Sequence, residues 1–163
     1  MLRDTFAPSG IVWNYKGVDY TINPVWANDG DDLAMKKALR KGNYRTLNVY
    51  FQNDIGEKLG YCHFPTTITP GDDTFWLDGC NILYTTVPGG AATNYNMGKT
   101  LTHETGHWFG LFHTFQGGCL GGDNVNDTPA QDSPSQGCPI GRDSCPDQKG
   151  LDPIHNYMDY SYE

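Results

Sequence analysis

The spacing of apolar residues divides the chain into a patterned first part and an unpatterned last part. Ile11-Val12-Trp13-Asn14-Tyr15 alternates, turns near Lys16-Gly17 and resumes with Val18, Tyr20 and Ile22, which predicts a β-hairpin. Residues 31–41 read as a helix. Asp31 and Asp32 suit its N-terminus, Ala34, Met35, Ala38 and Leu39 share one face, and Gly42 suits the C′ stop. Acids at its start and bases at its end match the helix dipole. Residues 46–52 are the clearest strand: Leu47, Val49 and Phe51 point one way, and Asn48, Tyr50 and Gln52 the other. Residues 60–64 and 80–87 are further strands, with a turn-rich loop over 65–73 between them. Residues 96–109 predict a second helix. After Gly110 periodicity fades, and 116–155 is a run rich in Gly, Pro, Asp and Cys. With no internal repeat and no linker, the pattern predicts a small α+β domain in two halves.

Composition narrows the function classes. The 163 residues suit one domain, and 37% hydrophobic with 13% aromatic residues is globular rather than disordered. A net charge of −8 excludes the basic face of a nucleic-acid binder. No apolar run approaches the roughly 18 residues of a membrane span. The first ten residues have no apolar core of the kind a signal peptide carries. Five cysteines suit oxidising conditions, and an odd count leaves at least one without a partner in this chain. Of the 19 acids only Glu57, Glu104 and Glu163 are glutamate, so the acidity is a matter of Asp-rich turns and caps. It is also uneven: residues 101–163 carry nine acids against Arg142 and Lys149, a local −7. That stretch reads either as a solvated acidic surface or as a cleft favouring basic substrates.

Candidate chemistry concentrates in His103-Glu104-Thr105-Gly106-His107-Trp108-Phe109-Gly110-Leu111-Phe112-His113. His103 and His107 are i and i+4, so a helix stacks them on one face. Glu104 neighbours the first imidazole and can act on a water at the same ion without ligating it. Gly110 can end the helix at positive φ, and the chain can then swing His113 back as a third ligand. Three imidazoles with an open fourth position describe a catalytic zinc site rather than a closed structural one. At this composition the five fixed positions coincide by chance in roughly one chain in 100,000, so packing of three histidines among aromatics is set aside. His63 and His155 lie outside the pattern and are assigned no role.

With Asn156-Tyr157-Met158-Asp159-Tyr160 further on, the segment resembles a metzincin zinc peptidase, in both its long zinc-binding helix and its methionine-bearing turn. Within that clan it resembles the pappalysin family, in particular secreted fungal metalloproteinases. LNVYFQ at 47–52, LYTTVPGG at 83–90, HTFQGGC at 113–119, DTPA at 127–130 and DPIHNYMDY at 152–160 carry the likeness over nearly the whole chain. The resemblance implies a single catalytic domain over 1–163. Its upper part, about 1–110, would hold a twisted mixed sheet and two main helices. Its lower part, about 111–163, would be irregular and disulfide-stapled, without the C-terminal helix of the family. It implies zinc on His103, His107 and His113, Glu104 as general base and proton shuttle, and Met158 as the apolar floor beneath the histidines. Tyr160 would help stabilise the tetrahedral intermediate, or is simply a half-exposed aromatic.

Relatives bind calcium near residues 121–128, which makes Asp123, Asp127 and Thr128 candidate calcium ligands, against an ordinary Asx-rich turn. Asn126-Asp127-Thr128 is also the only glycosylation sequon, and the two readings compete. The resemblance pairs Cys119 with Cys145. Cys62 and Cys80 sit on two predicted strands and could bridge, which leaves Cys138, whose family partner follows the methionine turn. The expected activity is that of a secreted, monomeric zinc endopeptidase. Its extended substrate would add to an edge strand at 81–87, and Gly89-Gly90 would allow close approach or form a plain turn. The alternative is a non-catalytic secreted binding protein on a shortened peptidase scaffold.

Overall fold

Asp31 starts the first long helix as the acidic opening requires: its carboxylate accepts the Ala34 backbone N–H at 3.2 Å, and the helix α2 runs over Asp32–Leu39. Its stop falls at Arg40, with Gly42 (φ 75°) two residues further on. A computed structural model describes residues 1–163 as two compact units, Met1–Trp108 and Phe109–Glu163. In the first unit, α2 is preceded by the short helix α1 (Leu2–Phe6) and followed by α3 (Asp73–Leu77) and α4 (Lys99–Trp108). The strands are β1 (Val49–Gln52), β2 (Gly60–Cys62) and β3 (Cys80–Leu83).

The sheet is mixed, in the order β1-β3-β2. β1 runs parallel to β3 with Val49 opposite Cys80, and β2 runs antiparallel with Cys62 opposite Cys80. The Cys62–Cys80 disulfide therefore joins directly facing residues of β2 and β3. Residues 81–87 are accordingly not an edge strand. β3 has a neighbour on both sides, ends at Leu83 and passes into a 3-10 turn at Tyr84–Thr86. Side-chain pattern marks a strand but does not state its neighbours. The free edges belong to β1 and β2. Gly89 and Gly90 lie in a turn, with the Gly90 N–H on the Val87 carbonyl.

Two further expectations change. The hairpin at 11–22 does not form: the stretch carries no strand, and Val12, Tyr15, Val18, Tyr20 and Ile22 are 66–101% exposed. A two-stranded ribbon is marginal without a third strand or a helix to cover its apolar side, and none covers this one. The alternation along β1 holds, but its more polar set is the buried one. Tyr50 and Gln52 face inward while Phe51 is half exposed.

That inward face packs on α2 through a polar layer. Lys36 is fully buried. Its ammonium lies over the Tyr50 and Tyr61 rings, donates to the Leu77 carbonyl at 2.8 Å and pairs with Asp32 at 3.1 Å. Asn81 donates to Asp32, to Gln52 and to the Tyr61 hydroxyl oxygen at 2.8–2.9 Å. The other sheet face, with Ile82 and Gly60, lies against α4.

In the second unit regular structure is confined to α5 (Gly118–Gly121). The Cys119–Cys145 disulfide closes the tail, and Cys138 is free and exposed. Cys145, Ile154 and Met158 make its small apolar centre. No helix in the chain is long and apolar enough to cross a membrane.

Candidate metal centre

α4 carries the first two candidate ligands. Leu101 to Trp108 lies within the helix, and the four-residue step brings His103 and His107 together, with Nε2 atoms 3.2 Å apart and rings nearly perpendicular. Two imidazoles each about 2 Å from one tetrahedral zinc have nitrogens about 3.3 Å apart, so this pair fits a shared ion. Phe64, two residues beyond β2, packs against the His107 ring at 5.1 Å between centroids.

Glu104 points to the other neighbour of α4, the strand β2. It is 6% exposed and accepts a hydrogen bond from the Cys62 backbone N–H. Burial pushes its carboxyl up to about 8, and the Cys62 N–H pulls the opposite way. Gly60 leaves room for it: a Cβ there would stand 2.7 Å from Glu104 Cγ and 3.0 Å from Ile82 Cδ1. The C-terminal end of α4 is anchored as well. The Trp108 indole donates to Asp78 Oδ1 at 2.7 Å, and the buried Arg40 guanidinium holds Asp78 Oδ2 at 2.7 Å.

In the second unit Gly110 has φ 93°, the left-handed turn expected after the helix. His113 stacks on Phe115 at 4.9 Å and meets the Tyr160 ring edge-on at 4.8 Å. Behind this cluster the Thr114 N–H donates to the Met158 carbonyl, and the Thr114 hydroxyl to Gln131 Oε1 at 2.6 Å. Gln131, fully buried, also donates to the Ser133 carbonyl and Ser135 Oγ. The Ser135 and Tyr160 N–H groups both donate to Asp159 Oδ1. Met158 is buried in its turn, held by an N–H bond to Asn156 Oδ1. The structure thus places His113, Met158 and Tyr160 in one cluster.

The remaining candidates are elsewhere. Asp123 is buried and its carboxylate accepts the Val125 N–H at 2.9 Å, while Asp127 is exposed and Thr128 half-buried. Sequence spacing finds the histidines and Glu104. It does not find Gly60, Phe64, Asp78 or Gln131, whose partners are distant in the chain and whose residue types carry no signature.

Residues 31–163 match the sequence model of peptidase family M43, described as pregnancy-associated plasma protein-A. The chain belongs to this family. Among curated relatives, an extracellular metalloprotease of Colletotrichum graminicola is 63% identical, over 100% of this chain and 59% of its own length. One of Neurospora crassa is 64% identical, over 99% of this chain and 57% of its own. The chain spans a little under three fifths of the curated relatives it matches. Among solved structures, Tannerella forsythia mature mirolysin in complex with a cleaved peptide is 35% identical, with a TM-score of 0.66 over 81% of this chain and 52% of that one. The chain has the α+β, metzincin-like fold of this family, with its mixed sheet and few helices.

Proposed function

We propose that the chain is the catalytic domain of a secreted, monomeric zinc endopeptidase, with His103, His107 and His113 holding the metal and Glu104 as general base. The observation that carries this reading is the His103–His107 nitrogen pair on α4, flanked by a buried carboxylate that is not one of the proposed ligands. Each imidazole offers one ring nitrogen, and three of them leave an open position. Family membership and the extracellular metalloprotease relatives support zinc, secretion and peptide hydrolysis together. The cleaved peptide held by mirolysin supports an extended peptide as substrate.

When bound, zinc supplies Lewis acidity, acidifying water and polarising a carbonyl. The chain's own residues do the rest. Glu104 takes a proton from the attacking water and returns it to the leaving amine. A cation beside it shifts its raised pKa back toward the ionised form that a base needs. Tyr160, whose ring meets that of His113 edge-on, would donate its hydroxyl to the developing oxyanion. Met158 supplies the apolar floor. The substrate would add to a free edge of the sheet rather than to the central strand at 81–87. The acidity of 101–163 supports a preference for Lys or Arg near the scissile bond. For calcium at Asp123, Asp127 and Thr128 the support is the family resemblance, since the Asp123 carboxylate already closes its own loop.

The test is cleavage of casein or gelatin by the zinc-loaded chain. Wild type is expected to cleave, 1,10-phenanthroline to stop it, and Glu104→Gln to be inert while keeping one zinc. If wild type and Glu104→Gln are equally inert with zinc retained, the chain is instead a binding protein on a peptidase scaffold.

A further inference from the structure

Glu104 has to sit where one carboxylate can reach both water and a leaving amine, yet nothing on α4 itself holds its far end. What holds it is β2. The side chain crosses that strand at Gly60, where any Cβ would stand 2.7 Å from its Cγ and 3.1 Å from its Cδ. Its carboxylate then meets the Cys62 backbone N–H. Tyr61 and His63 use their backbone groups toward β3, as the Tyr61–Asn81 register and the His63 N–H bond to the Gly79 carbonyl show. Alternation along the strand therefore turns the Cys62 N–H away from β3, where Glu104 receives it. The disulfide to Cys80 fastens the same residue to the central strand. A three-residue edge strand is easily displaced, and this one is fixed covalently at the residue that contacts the carboxylate.

We infer that β2 is the seat of Glu104: Gly60 and Cys62 are positioning residues for the proposed base, and the Cys62–Cys80 bridge locks that seat in register. The inference rests on the proposed function, because it assigns a task to residues that support its general base. Gly60 is there for clearance, since its φ lies outside the left-handed region where glycine would be needed for conformation. An added methyl pushes Glu104 aside, and misplacement of a catalytic group by about 1 Å costs about 100-fold in rate. The bridge acts through the strand, so its loss is expected to cost less than the methyl does.

The experiment compares zinc-loaded wild type with Gly60→Ala, with the Cys62→Ser/Cys80→Ser double variant and with Glu104→Gln on one fluorogenic peptide. Ile140→Ala is the control, because that side chain is 88% exposed and belongs to no proposed site. Zinc content and the visible spectrum of the cobalt-substituted proteins report the histidines separately. Gly60→Ala is expected to lower kcat about 100-fold and the double variant roughly 10-fold. Both should keep KM within about twofold, one metal per chain and an unchanged cobalt spectrum. Two outcomes overturn the inference: kcat within twofold of wild type in Gly60→Ala while Glu104→Gln is inert, or a kcat loss accompanied by loss of metal or a changed spectrum. Failure of the proposed function looks different, because wild type and Glu104→Gln would then be equally inert.

Discussion

Asp32 and Lys36 show how a buried charge is held in this protein. Burial alone would raise the Asp32 pKa, but hydrogen bonds from His63, Asn81 and Lys36 and the Lys36 charge outweigh it and hold the carboxyl below its ordinary value. Burial pushes the Lys36 ammonium down, against the pull of Asp32. A carboxyl depressed in the folded state contributes stability that is present above about pH 4 and lost as pH falls through the folded value. The urea midpoint should therefore fall below about pH 4, and less steeply in Asp32→Asn. That variant also strands Lys36 and is expected to lose about 3 kcal/mol at neutral pH, with Lys36→Met in the same background restoring most of it. Tyr160→Phe belongs at this scale too. If its hydroxyl serves the oxyanion, kcat falls about 100-fold with little change in KM; an unchanged kcat removes that role.

The C-terminal end of the helix that carries the proposed ligands His103 and His107 depends on something other than the helix. Trp108 hangs on Asp78, and Asp78 on the buried Arg40 of the α2 end. Asp78→Ala is expected to cost about 3–5 kcal/mol in denaturant unfolding, because it leaves a buried guanidinium without its anion. The helices α2 and α4 were legible in the sequence because caps, charge order and a four-residue step are local signals. So was the pair His103 and His107, whose geometry follows from the helix alone. The strand neighbours were not legible. Residues 80–87 have the composition of a strand, but whether it is central or an edge is decided by β1 and β2. The 11–22 hairpin misled for a related reason: alternation states which side chains share a face, and only a covering element makes that face worth forming. Gln131 left no trace because Thr114, Ser133 and Ser135 reach it through loops.

Over the whole molecule, charge and metal set the measurable behaviour. With a net charge of −8 and a local −7 over 101–163, peptides with Arg or Lys at the scissile bond should be cut faster than neutral ones. Added salt should narrow that difference, and no difference at low salt would remove the preference. Metal binding adds to stability by mass action, about 4 kcal/mol at a thousand times the Kd. Chelation should thus lower Tm and abolish cleavage together, and zinc should restore both. Residues 11–22 bear on how long the molecule lasts. An apolar, solvent-exposed run without regular structure can add to a sheet edge, so each copy offers its neighbour a bait. Zinc-loaded wild type held at high concentration should nick itself inside 11–22 with second-order kinetics, visible as a single early mass loss. Glu104→Gln should stay whole, and this stretch would then be the fuse on the molecule's own lifetime.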